Sequence, residues 1–408
     1  MSTPTAPAAT KPIVDEPVPL PQRWGAAELA RLTEMVKQPS LFYWKGPQTT
    51  ALLEEFRKHY PLKYAFPCSS GTASLHIAVA ALKLRPGDEV ITAPITDMGS
   101  VIGILYQQGV PVFADLDPRS YNLDPADVRR KITAKTRAIM AVHLAGNAAD
   151  LTALSAIARE HNLILIEDCA QSWGAKHRGT PVGLVGDFGC YSLNDFKHIA
   201  CGDGGIVATN SENYGPGLSK WGDKSYDRVA GGREVEELAP NYRISEPQAA
   251  VSAAQLTKLT DIVSRRHHIG ELLTSRLAGA PGVIPPAAAK GDYHSYWFYM
   301  VRLELARYSV PRAELCAALN AEGVTVGAGY IPRPVYAYPV FKNHNFFGGA
   351  WPVRDFGLTK MDYRQVKCPV AEAILDDCLV FKITEAMSDA YVEKVARAVT
   401  TVTKRLAK

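Results

Sequence analysis

A chain of 408 residues that is 47% hydrophobic carries more apolar material than one core usually needs, so a large domain with a smaller companion is expected. Lysine and arginine exceed aspartate and glutamate by 45 to 41, a formal charge of +4, without any basic run interleaved with aromatics. That balance argues against nucleic acid as a partner and leaves a small anionic ligand open; no stretch has the apolar length that would cross a bilayer.

Seven cysteines, at 68, 169, 190, 201, 316, 368 and 378, lack CxxC or Cys/His spacing, so neither a disulfide framework nor a metal site is expected. Residues 1–22 are rich in Pro, Ala and Thr and lack the charged start and apolar run of a secretory signal. They read as a disordered tail on a cytoplasmic protein.

Order is expected from the apolar-periodic stretch Trp24 to Met35, followed by a loop with FYWKGP and an amphipathic helix in ALLEEFRKHY. Strand-like and helix-like segments then alternate. They run through YAFPC, GTASLHIAVAALKL, EVITAP, a helix near 100–108, VPVFADL, a helix near 125–132, AIMAVHL, a helix near 151–160, and LILIED. Such alternation predicts an α/β domain with a mainly parallel sheet, over 23–265. Further strand-like pieces, GCYSL and GIVATN, precede a long helical stretch from EPQAAV to TSRL that bridges the domains. SYWFYMVRLEL, a helix near 312–321 and a terminal helix near 388–407 then predict a smaller α+β domain over 266–408.

Three features carry chemistry. SSGTAS at 69–74 lies between a predicted strand and a predicted helix, where free N–H groups and the helix dipole receive phosphate; an ordinary helix cap is the plainer reading. Asp168 ends LILIED, at the sheet edge where ligands bind in such folds, and could pair with a protonated ring nitrogen; a solvated loop is the alternative. Lys197, in YSLNDFKHIACGDGG, is flanked by apolar segments and by glycines 202, 204 and 205. A buried lysine amine is nucleophilic and forms imines, although most lysines are surface residues.

The order phosphate-type loop, strand-end acid, then lysine 29 positions later is what brings these features together. From about residue 40 onward the chain resembles the DegT/DnrJ/StrS family of pyridoxal-phosphate (PLP) sugar aminotransferases. The resemblance rests on KGP at 45–47, SSGTASLH, PGDEVITAP, PVFADLDPRSYNLDP, VHLAGNAADL, IEDCAQSWGA, Gly186 to Asn210, NYRISEPQAAVSAAQL and KCPVAEAI.

The resemblance implies the fold type I, aspartate aminotransferase-like architecture with PLP as cofactor. Lys197 matches the Schiff-base lysine, Asp168 the pyridinium partner and Gln171 the side chain near the phenolic oxygen. Gly71, Thr72 and Ser192 match phosphate contacts. Asn241 matches a phosphate ligand from the neighbouring subunit, implying a homodimer with shared active sites.

Two positions depart from the family. Asp97 stands where relatives usually place an aromatic over the cofactor ring; it either meets a substrate hydroxyl or ammonium, or caps the helix beginning near Met98. SKWGDKSYDR at 219–228 replaces an Arg-x-His-Gly stretch, so substrate contacts from that region do not carry over.

The expected activity is amino transfer from glutamate or glutamine to a keto-sugar or keto-cyclitol. The competing readings are a PLP-dependent dehydratase or lyase, against which Lys197 argues because dehydratase relatives carry His there, and a non-catalytic regulatory protein that keeps the fold.

Overall fold

The computed structural model describes residues 11–408. Runs of Val, Ile and Ala too short for helices form the strands of the central sheet. They are β1 (Tyr64–Cys68), β2 (Glu89–Thr92), β3 (Val110–Phe113), β4 (Thr136–Val142) and β5 (Ile164–Asp168). After a small hairpin, β6 (Lys176–His177) and β7 (Thr180–Pro181), the sheet is completed by β8 (Phe188–Ser192) and β9 (Gly205–Thr209).

The order across the seven-stranded sheet is β1-β9-β8-β5-β4-β2-β3. β3, β2, β4, β5 and β8 are parallel neighbours; β9 runs antiparallel to both β8 and β1. Helices cover both faces, as a sheet buried on two sides requires: α1 (Ala26–Val36), α2 (Pro47–His59), α3 (Gly71–Ala81), α4 (Gly99–Tyr106), α5 (Pro125–Lys131), α6 (Leu151–Glu160), α7 (Leu218–Gly222) and α8 (Glu246–Leu256). α3 is apolar and buried on nearly every side, consistent with GTASLHIAVAA.

The predicted bridging helix is broken at Thr257–Lys258, and its second part, α9 (Leu259–Leu277), joins two cores. Leu259 and Val263 pack in the first; Ile269, Leu273 and Leu277 pack in the second. The second core covers a four-stranded antiparallel sheet of β10 (Val283–Ile284), β11 (Tyr299–Leu303), β13 (Cys378–Phe381) and β12 (Val326–Gly327), in that order. Between the last two strands the chain returns to the first core, where Tyr336, Phe341, Trp351 and Tyr363 stack around Phe113. Periodicity alone did not separate this excursion from the smaller unit.

The N-terminal expectation needs correction. Residues 1–10 lie outside the described residues, but 11–22 form an irregular strap against the second core. Val14 is buried and its N–H donates to the Glu322 carbonyl at 2.9 Å; Lys394 reaches Asp15 and Glu16, each at 2.9 Å. Gly323, at φ +84°, admits the Val14 carbonyl where any Cβ would collide with it. Burial of Val14 and partial burial of Ile13 and Val18 offset the ordering entropy of a Pro-rich segment.

Candidate active site

Five loops follow the carboxyl ends of parallel strands and converge at one edge of the sheet, the position expected for a ligand site. After β1, Ser70 caps α3 by accepting the Ala73 N–H at 3.0 Å. Among the described residues, the N–H groups of Gly71 and Thr72 have no protein acceptor. The helix start lies against Ser192 at the end of β8. A Cβ on Gly71 would lie 2.6 Å from the Ser192 Cβ, so only glycine lets the helix start come this close. Free N–H groups, the Thr72 and Ser192 hydroxyls and the positive dipole end suit a phosphate.

Asp168, at the end of β5, is buried and not part of a solvated loop. Its Oδ2 accepts the Ser100 hydroxyl at 2.7 Å, and its Oδ1 accepts the Ala170 N–H at 3.1 Å. Ser100 lies 2.6 Å from the Thr96 hydroxyl, so the loop from β2 into α4 holds the acid. Burial raises the Asp168 pKa, while the Ser100 and Ala170 hydrogen bonds and the fields of Lys197 and His143 act against that rise.

Glu167 points to the other face of the strand and is fully buried. Its carboxyl accepts the N–H groups of Gly183 at 2.6 Å, Val185 at 2.9 Å and Gly186 at 2.6 Å, and lies 3.1 Å from His143 Nε2. His143 Nδ1 accepts the Ala149 N–H at 3.0 Å, which leaves Nε2 as the proton-bearing nitrogen. Glu167, His143 and Cys169 lie within 4.8 Å of one another, but the Glu167 oxygens are already occupied by these donors.

Gln171 bridges two loops. Its Oε1 accepts the Ala145 N–H at 2.8 Å and its Nε2 donates to the Tyr330 hydroxyl at 3.0 Å. Burial pushes the Tyr330 pKa well up, with the fields of Asp97 and Asp168 adding to it.

Lys197 sits in a loop closed by Leu193 N–H to Gly204 O and Asp195 N–H to Gly202 O, both 2.8 Å, with Gly202 at φ +90°. Its ammonium lies 3.6 Å from the centre of the Trp297 ring, and the Trp297 indole N–H donates to the Phe196 carbonyl at 2.7 Å. Burial lowers the Lys197 pKa to about 8, while the fields of Asp168 and Asp97 pull it upward.

Asp97 is exposed at the mouth of this space. Its Oδ1 accepts the Gly99 N–H at 2.8 Å, so part of the capping expectation holds. Asn241 stands apart: it is exposed, accepts Arg243 Nε at 2.7 Å, and no described hydrogen bond ties it to Lys197, Asp168 or α3. In the departing stretch, Asp223 is buried and bound by Tyr43, Arg228 and Arg243. Its acid therefore serves structure.

Ser100, Thr96, Trp297 and Tyr330 were not anticipated. Ser100 had a local signal, a lone polar residue opening an otherwise apolar helix; Trp297 and Tyr330 come from distant loops and had none.

The residues at this edge match the parts of PLP. The α3 start would hold its phosphate, Asp168 its ring nitrogen and Lys197 its aldehyde carbon, and Gly71 keeps open the cradle that a Cβ would fill.

Comparison with known proteins agrees. The model of the DegT/DnrJ/EryC1/StrS aminotransferase family matches residues 23–400. A GDP-perosamine synthase of Vibrio cholerae is 34% identical, over 73% of this chain and 84% of its own. A putative L-glutamine:3-amino-2,3-dideoxy-scyllo-inosose aminotransferase of Micromonospora echinospora is 32% identical over 90% and 88% of the two chains. The solved aminotransferase of Psychrobacter cryohalolentis superposes with a TM-score of 0.83 at 26% identity, covering 94% of this chain and 98% of that one. This chain belongs to the DegT/DnrJ/EryC1/StrS aminotransferase family and is a fold type I, PLP-dependent aminotransferase.

Proposed function

We propose that this enzyme moves an amino group from glutamate or glutamine to a keto-sugar, free or nucleotide-linked, or to a keto-cyclitol. The sugar and cyclitol aminotransferases among its relatives support that substrate range. The observation that carries the reading is the Lys197 amine, whose pKa is lowered by burial to about 8 and which faces Asp168 and Trp297 at the carboxyl edge of the sheet.

In this reading Lys197 carries the cofactor through Nζ and, once released, moves the proton that leaves the substrate α-carbon. Bound PLP supplies an electron sink for the pair left behind when that C–H bond breaks. Asp168, held by Ser100 and Ala170, keeps a proton on the ring nitrogen. Gly71, Thr72 and Ser192 would hold the phosphate, and Gln171, which donates to Tyr330, would meet the phenolic oxygen. Asn241, exposed in one chain, reaches the phosphate of the partner subunit in a homodimer with shared sites.

Two experiments test this. Borohydride reduction and peptide mapping should place the cofactor on Lys197, and Lys197→Ala should abolish turnover; attachment at another lysine, or full activity in the variant, refutes the role. Mixing Lys197→Ala with Asn241→Ala protomers should restore one intact site per heterodimer. No recovery under conditions that exchange subunits refutes the sharing.

A further inference from the structure

The role proposed for Lys197 asks it to leave the cofactor and return to it, and in between its amine hangs on a flexible four-carbon stem. Among the described residues Nζ has no hydrogen-bond or ion-pair partner. What receives it is a ring: Nζ lies over the Trp297 indole, 3.6 Å from its centre, on the negative face of the π system.

Ring and lysine are held in register by the two chain neighbours of Lys197. The Phe196 carbonyl accepts the Trp297 indole N–H at 2.7 Å, and His198 Nε2 donates to the Ser295 carbonyl at 3.0 Å. Both bonds grip the segment that carries Trp297. The same segment is tied by the Trp297 N–H to the Ala145 carbonyl at 2.8 Å. The buried Arg266 donates to the carbonyls of Tyr296 at 3.3 Å and Trp297 at 3.1 Å, while its Nε donates to Glu385 at 2.8 Å. Turning the indole away from Nζ would break the bond to Phe196.

The charges around the amine leave a task for the ring. Asp168 from β5 and Asp97 from the loop before α4 favour the ammonium, and burial opposes it. His198 is fully buried and kept neutral, the Tyr330 phenol is kept neutral by burial, and Arg266 is paired with Glu385. An indole face attracts an ammonium but cannot take its proton, and the attraction fades once the amine is neutral. Such a seat retains the charged form and releases the nucleophilic one. We infer that Trp297 is a positioning residue for the reaction: its face seats the Lys197 ammonium whenever that side chain is not bonded to the cofactor, and lets the neutral amine go. This rests on the role of Lys197 proposed above and deepens it.

The test reads the pH midpoint of Lys197 in the cofactor-free protein by competitive acetylation. Tryptophan carrying one, two or three ring fluorines, placed at position 297 by codon suppression, keeps the shape and the N–H while drawing charge from the face. The midpoint should fall stepwise with each fluorine. Trp297→Leu, which removes the face and keeps the site apolar, should lower it by about 0.4 to 1.5, the range of a cation over an aromatic ring. A ring that only excluded water would give the opposite sign, because the smaller leucine admits solvent and the midpoint climbs toward 10.5. A midpoint that ignores three fluorines, or rises in Trp297→Leu, overturns the inference. In the loaded enzyme Trp297→Leu should slow the half-reaction with the amino donor by about tenfold, with KM kept within about twofold. Borohydride mapping separates the two levels. Cofactor on another lysine sinks the role of Lys197 and this inference with it; cofactor on Lys197 with a midpoint indifferent to fluorine overturns the inference alone.

Discussion

On the cofactor-free protein, Lys197 should react with an amine-directed reagent as a base with a pKa of about 8, against the ordinary 10.5. Burial disfavours the charged ammonium and dominates over the opposing fields of Asp168 and Asp97. At pH 8 about half of the amine would be neutral, compared with about 0.3% of an unperturbed lysine, an advantage of about 150-fold in nucleophile. Because both acids hold the proton on, Asp168→Asn and Asp97→Asn should each move the midpoint further down. Competitive labelling with trace acetic anhydride across the alkaline range, read by peptide mass spectrometry, measures this with exposed lysines as the internal standard. A midpoint near that of the exposed lysines, or an upward move in Asp168→Asn, would refute the reasoning. The sign for stability follows from proton counts. Between about pH 8 and 10.5 the folded protein holds less of this proton than the unfolded chain, so this group's part of the stability rises with pH through that window.

Two further outcomes follow from the hydrogen bonds. Ser100→Ala removes the 2.7 Å donor to the buried Asp168 and should cut kcat/KM by about 10- to 100-fold, together with a stability loss of about 1–3 kcal/mol by urea denaturation for the carboxyl left short of a donor. Glu167→Gln places an amide NH2 against donors that need an acceptor and should cost about 3 kcal/mol or more, measured by urea denaturation; a loss below about 1 kcal/mol would show that the three N–H groups find other partners.

The site was legible in the sequence wherever its parts are set by local rules. Asp168 could be placed because LILIED is a short apolar run that must end at a sheet edge, and Ser70 to Thr72 because a small polar cluster opens an apolar helix. Lys197, a weak signal by itself, was singled out by its order after the phosphate-type loop and Asp168 and by the family resemblance. What escaped notice depends on contacts between segments far apart in the chain. Trp297 meets Lys197 across 100 positions, and Tyr330 meets Gln171 across 159. Neither has a periodicity that betrays it. The excursion of Tyr336 to Tyr363 into the first core failed for the same reason: its aromatics are apolar enough for either core, and only the tertiary arrangement chooses. The N-terminal strap was misread because proline content suggests disorder, while its anchorage depends on few side chains.

That strap braces a joint. It is fastened to the second core by Val14 at Glu322 and by Pro19, whose carbonyl accepts the Thr384 hydroxyl at 2.6 Å. Its far end is fastened beside the loop of Lys197, where Arg23 donates to the Asp195 carbonyl at 2.8 Å, two positions before that lysine, and the Arg23 carbonyl accepts Lys258 at 2.9 Å. α9 is one connection between the cores, and the segment that visits the first core between β12 and β13 crosses between them twice more. With the strap as a further tie, a swing of the smaller body must either stretch those bonds or drag the loop that carries Lys197. A gene shortened to begin at residue 23, where the family match starts, would remove the strap's hold on the second core, and slack in the joint would reach the loop of Lys197 before it reached either core.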